Sequence, residues 1–259
     1  MATLHSFGDG GYAFLEGGFP YSAGVVALPG FEIVRARLRR VLPMADGFAA
    51  IDALLRAAGR PRTALCAAEL RSPQPFSFDG FGNFNKGYVA VLEQWGLVRN
   101  GLNPVARSNV CPEFDAPSEP GFFAFCYTVP AGSLTAGVAS GTGLAQSFVV
   151  AGSGEWPEGT PFPDRIVARG DTSPAGLSAK AQFVLEEMRR RTDGLGADWN
   201  ALTSAQIYTV HDIHPLLRPQ LHAAGLTRLG LDWHVCRPPI RELEYEMDVR
   251  GVRMELTIG

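Results

Sequence analysis

LAQSFVVAGSGEW (144–156), DRIVARGD (164–171) and SPAGLSAKAQFVLEEMRRRTDGLG (173–196) decide the fold class. The first reads as a strand ending in Gly-rich turn residues, the second as another strand, and the third as a long helix with Ser173 or Ser178 near its start. Outward from there, LTSAQIYTV (202–210) reads as a strand and IHPLLRPQLHAAG (213–225) as a shorter helix. LDWHVCRPPI (231–240), RELEYEMDV (241–249) and VRMELTI (252–258) finish as strands. The first half runs in the same order. YAFLEGGFPYSAGVVAL (12–28) and FEIVRARLRRVL (31–42) are strand-like, and GFAAIDALLRAAG (47–59) is helical, with Asp46 as N-cap and Gly59 closing it. RTALCAAELR (62–71) is a strand, FGNFNKGYVAVLEQWG (81–96) a helix, and ARSNVCPEF (106–114) and FFAFCYTV (122–129) are strands.

Both halves therefore read β-β-α-β-α-β, an internal repeat at about half the chain length. The expectation is an α+β protein of two tandem units, 1–130 and 144–259, joined by a Gly-, Ala-, Ser- and Thr-rich linker at 131–143. Helices cover one face of each sheet, so the other face must meet the other half or another subunit.

The 259 residues are 46% hydrophobic and 19% charged, with net charge -3. That is a globular composition without the basic excess of a nucleic-acid or anionic-membrane binder. No apolar run is long enough to span a bilayer. Cys66, Cys111, Cys126 and Cys236 are scattered, which suits free thiols and a cytoplasmic setting. GxSxG, GxxxxGK[ST] and strand-linked GxGxxG motifs are missing. His211 and His214 flank Asp212 without a third clear ligand, so no metal is expected, and Asp212 has a ready role at the start of the following helix.

In 241–249 the acids Glu242, Glu244, Glu246 and Asp248 alternate with apolar residues, and Arg241 has the apolar parity. An arginine facing inward must meet an anion, either a protein carboxylate or a ligand. Glu69, Arg71, Asn83 and Asn85, beside the Pro-rich 72–80 segment, are candidate walls of a site.

Gly152-Ser153-Gly154, Gly170-Asp171, Trp199 and Ile207-Tyr208-Thr209-Val210-His211-Asp212 make the second half resemble the RidA family; the first half resembles it through element order. The resemblance implies a chorismate-mutase-like fold, a homotrimer with sites in clefts between units, and cofactor-free hydrolysis of imine or enamine acids with release of ammonia. Some relatives deaminate aminomuconate-type products of aromatic ring cleavage. Pro239-Ile240-Arg241 matches the family's carboxylate-binding arginine and Glu255 its water-positioning acid. Gly152, Ser153, Glu155, Trp199 and Tyr208 are then expected to line the pocket. In the first half Arg107 and Asn109 fall at the matching place, but the strand at 121–129 carries no acid, so that half either builds interfaces or contributes walls to a composite site. The leading expectation is a deaminase of imine or enamine acids. The rivals are a non-catalytic binding or regulatory module and an enzyme acting on a larger ring-cleavage diacid, to which the aromatic content is suited.

Overall fold

A computed structural model describes residues 3–133 and 146–259, so most of the expected 131–143 linker lies outside the described residues. In chain order the elements are β1 Leu4–Phe7, β2 Tyr12–Leu15, β3 Gly24–Ala27, β4 Phe31–Pro43, α1 Met44–Ala57, β5 Leu65–Arg71, α2 Phe78–Gln94, β6 Ala106–Pro112 and β7 Gly121–Pro130. There follow β8 Phe148–Gly154, α3 Pro174–Gly194, β9 Ser204–Tyr208, α4 His214–Leu216 with a π-helical continuation Leu217–His222, β10 Asp232–His234, β11 Cys236–Arg237, β12 Glu246–Gly251 and β13 Met254–Ile258.

The strands form two sheets, β1-β2-β3-β8-β12-β9-β10 and β11-β6-β5-β7-β4-β13. Within them β8-β12-β9-β10 and β4-β7-β5-β6 share one pattern, two antiparallel pairings followed by a parallel one. The sheets draw on both sides of residues 131–143. β3 pairs with β8, and β13 runs parallel to β4, so each half lends strands to the other's sheet.

Alternation explains the layers. On β12, Met247 and Val249 pack with Ala181, Val184, Leu185 and Met188 of α3, while Glu246, Asp248 and Arg250 occupy the other parity and are also buried. Tyr88, Val89 and Leu92 of α2 and Phe48, Ile51 and Leu55 of α1 cover the first-half sheet. The sheets meet across polar groups: Ser108 Oγ donates across to Asp248 Oδ2 (2.5 Å), and within its own sheet Asp248 also accepts from Tyr208 OH (2.9 Å, Oδ2) and Gln206 Nε2 (2.8 Å, Oδ1). Arg35 grips Glu69 through Nε and Nη2 (2.5 and 2.7 Å). Burial opposes ionisation of Glu69, but the paired guanidinium outweighs it and holds the carboxyl below the usual range.

Three local expectations are corrected. DRIVARGD is a run of turns, in which Ala168 (φ +45°) and Gly170 (φ +73°) take left-handed backbone that a strand does not use. Residues 241–245 form a turn and loop, so Arg241 is exposed rather than inward-facing on a strand. The α1 helix starts at Met44, placing Asp46 in its first turn. Ser173 does cap α3, its Oγ accepting from Gly176 N at 3.2 Å.

Candidate active site

A cavity of about 310 Å³ opens at the seam between the two halves. Its walls come from the loop before β3 (Phe19, Tyr21), from α2 (Phe78, Phe81, Asn85), from β6 (Arg107, Asn109), from β8 (Gly152, Ser153) and from the 239–246 segment (Ile240, Leu243, Glu246). The Ser77 hydroxyl caps α2 by accepting from Gly80 N, and the helical period brings Phe81, Asn85 and Tyr88 onto one buried stripe.

Arg107 is 2% exposed, and neither Nη1 nor Nη2 has a hydrogen-bond partner. Aromatic rings surround it instead, with the guanidinium carbon 4.9 Å from the Tyr88 ring centre, 5.1 Å from Tyr21 and 5.4 Å from Phe81. Burial pushes its pKa down from the ordinary arginine value. Beside it, Asn109 accepts from Ser72 Oγ through Oδ1 (2.9 Å) and leaves Nδ2 unpartnered, and Asn85 leaves Oδ1 unpartnered. Buried polar groups are normally satisfied, and the three unpartnered donors here, Arg107 Nη1 and Nη2 with Asn109 Nδ2, are of the kind an oxyanion would satisfy, whereas Asn85 Oδ1 is an unpartnered acceptor.

Glu246 supplies the second titratable group. It is 4% exposed and lines the cavity, and burial, then the charges of Asp248 and Glu155, raise its pKa well above the usual carboxylate range. The carboxyl sits against backbone: a Cβ on Gly152 would collide with Glu246 Oε1 and come within 3.1 Å of Ser108 Oγ, so only glycine leaves room for it.

Of the residues singled out from the sequence, Arg107, Asn109, Gly152 and Ser153 line this cavity, as does Asn85. The others lie elsewhere. Glu155, fully buried, pairs with Lys180 Nζ (3.1 Å) and accepts the backbone N–H groups of Glu244 (2.7 Å) and Tyr245 (3.1 Å), which anchors the chain leading into Glu246. Tyr208 is spent on Asp248 in the polar layer between the sheets. Trp199 donates Nε1–H to Ala224 O and stacks under Arg189, away from the cavity. Glu255 bridges Arg35 (3.0 Å) and Arg250 (2.8 Å) on β13. Arg241 is exposed on its turn, and among the described residues Arg107 is the arginine lining the cavity. Glu69 and Arg71 belong to the inter-sheet layer, Arg71 lying 4.1 Å over Phe123. Among the described residues no group of three or more His, Cys, Asp or Glu is arranged to hold a metal ion.

Sequence reasoning passed over Glu246, although its signal was present. It belongs to the alternating acids of 242–248, and it pairs in register with Gly154 and Tyr208, two positions that the motif comparison had marked.

A buried cation whose terminal nitrogens lack a hydrogen-bond partner and a buried carboxyl thus share one aromatic chamber. The family model described as 2-aminomuconate deaminase CnbZ matches residues 4–256. A 2-amino-5-chloromuconate deaminase of Comamonas testosteroni is 48% identical over 253 residues, covering 97% of this chain and 98% of that protein. Among solved structures, a chorismatase shares 13% identity over 93% of this chain and 77% of its own, with a TM-score of 0.45. The YjgF gene product of E. coli shares 13% over 41% of this chain and 80% of its own, with a TM-score of 0.30. The protein is an enzyme acting on carbon–nitrogen bonds. It belongs to the CnbZ family of 2-aminomuconate deaminases.

Proposed function

We propose that this enzyme hydrolyses the C–N bond of a 2-aminomuconate-type dienamine diacid in the Arg107–Glu246 cavity. The observation that carries the reading is the buried guanidinium of Arg107, with both terminal nitrogens unpartnered, beside the buried carboxyl of Glu246. Arg107 holds the carboxylate next to the amino-bearing carbon in bidentate fashion. The aromatic and aliphatic walls, Phe78, Phe81, Ile240 and Leu243 among them, accept a planar conjugated chain, which favours a ring-cleavage diacid over a small imino acid.

The chemistry follows from a carboxyl whose burial favours the protonated form. Glu246 gives its proton to carbon at the far end of the dienamine, and the C–N bond becomes an iminium. The resulting carboxylate takes a proton from water as the water oxygen bonds to the iminium carbon. Glu246 then returns that proton to nitrogen, the C–N bond breaks, ammonia leaves, and the new hydroxyl proton goes back to Glu246 as the carbonyl forms. One water is consumed, one ammonia is released, no redox change occurs, and the acid is regenerated. The iminium is already electrophilic, so these steps call on no cofactor.

The shared strand pattern of the two sheets supports reading them as tandem RidA-type units with exchanged edge strands. The test is ammonia release from freshly generated 2-aminomuconate, beside a small imino acid. Release from the diacid at least tenfold faster supports the proposal; equal rates, or release from the imino acid alone, overturn it.

A further inference from the structure

A six-carbon diacid carries two carboxylates, and Arg107 accounts for one. The second needs its own counter-charge, because an unpaired carboxylate in an apolar chamber is costly. Arg191 lies behind the cavity wall, its side chain 1% exposed. Nε is held by Glu187 (2.7 Å), and Nη1 reaches the carbonyl oxygens of Ala151 and Gly152 (3.3 and 3.4 Å). Nη2 points to two residues that line the cavity, Ser153 Oγ at 3.3 Å and Glu158 Oε1 at 3.4 Å. The same Glu158 oxygen accepts a 2.8 Å hydrogen bond from Tyr21 OH. Tyr21 joins the two ends of the chamber: its ring faces Arg107 while its hydroxyl reaches the Glu158 carboxylate.

Glu158 differs from its partners. Its side chain is 31% exposed, on the loop leaving β8 just before Gly159, yet its carboxylate folds inward over an arginine that is otherwise sealed. Removing that carboxylate leaves Arg191 paired with Glu187 and Ser153 Oγ, and frees an N–H of Nη2 and the Tyr21 hydroxyl around a single point of the cavity wall. Trp156 Nε1 is another unpartnered donor on this wall, but it is neutral and cannot match a carboxylate as a cation does.

We infer that Glu158 is an internal stand-in for the second carboxylate of the substrate: a diacid displaces it from Arg191 and Tyr21, and a monoacid does not. This rests on the Arg107 site proposed above. The subsite makes the enzyme selective for diacids and sets the cost of that selectivity as the work of expelling Glu158.

The test compares trans,trans-muconate with sorbate, the same dienoic chain lacking one carboxylate, by calorimetric titration of the full-length protein at fixed ionic strength. Glu158→Ala should tighten muconate roughly tenfold and change sorbate less than about twofold. Adding Tyr21→Phe in that background should return several-fold of the muconate gain, again sparing sorbate. An unchanged muconate-to-sorbate ratio across the three proteins overturns the inference. So does a Glu158→Ala protein that loses turnover with that ratio unchanged, because Glu158 would then belong to the chemistry. Sorbate binding that needs Arg107 upholds the first site independently. If neither acid binds, both readings fall.

Discussion

Replacing Arg107 with methionine separates a ligand-binding arginine from a structural one. The wild-type guanidinium is sealed from solvent, and its two terminal nitrogens have no acceptor. Each charge-assisted hydrogen bond to a carboxylate contributes about 1.5–3 kcal/mol, so losing a bidentate pair costs about 3–6 kcal/mol of binding, roughly 150- to 20,000-fold in Kd. The stability effect runs differently. Burying an unpaired cation costs several kcal/mol, offset in part by contacts with the rings of Tyr21, Phe81, Phe84 and Tyr88 at about 0.5–2 kcal/mol each. These terms nearly cancel, so Arg107→Met should shift the unfolding free energy by no more than about 1 kcal/mol either way, or about 2–4 °C in Tm. Calorimetric titration with muconate and a thermal melt without ligand measure the two effects separately. A variant that keeps muconate affinity within threefold while its Tm drops by about 10 °C or more would refute the reasoning, since Arg107 would then be a packing residue.

Glu246→Gln should bind muconate within about threefold of wild type and lose at least about 100-fold in kcat, because the amide neither gives nor takes the proton. Its stability should also depart from wild type at high pH. A carboxyl whose folded pKa is raised adds most stability below its unfolded pKa and loses it as pH rises toward the folded value, so the Gln variant should lack that alkaline decline when the two melts are compared from pH 5 to 9. Gly152→Ala forces a methyl against Glu246 and should cost about 1–3 kcal/mol while lowering kcat more than it raises KM. Glu255→Gln removes one arm of a partly exposed bridge to Arg35 and Arg250, so it should cost about 1 kcal/mol in denaturant unfolding with kcat retained. A collapse of kcat in that variant would return Glu255 to the chemistry.

Elements with a strong local period could be read from the sequence. The α2 and α3 helices and strands β4, β5, β7 and β9 lie where apolar spacing put them, since 3.6- and 2-residue periods are local properties. The β13–β4 pairing could not be read: a parallel ladder between residues 254–258 and 34–38 depends on how the whole chain closes, and neither segment encodes its partner. The same limit misplaced the arginine. Pro239-Ile240-Arg241 and the Pro104–Arg107 run both fit a motif of proline followed by arginine, and only three-dimensional burial separates an exposed turn from a chamber lined with aromatic rings. Glu155 and Tyr208 are buried where hydrogen bonds consume them, which residue type alone does not announce.

The missing acid of β7 takes on a different meaning once the seam is considered. Taken alone, each half is incomplete: the first brings an arginine and no acid, the second an acid on β12 and a glycine on β8 that makes room for it. The halves also exchange β3 and β13, so the two sheets are held in register by strands each has lent the other, and polar groups such as Ser108 and Asp248 lock their faces at 2.5 Å. A site that needs one charge from each half benefits from such interlocking, because opposed groups must be held within about half an ångström to act together. On the proposed chemistry and the proposed tandem reading, two such halves do not need two sites: one holds the carboxylate and the other carries the proton, which yields a single chamber at the seam with the arginine from one half and the reacting carboxyl from the other.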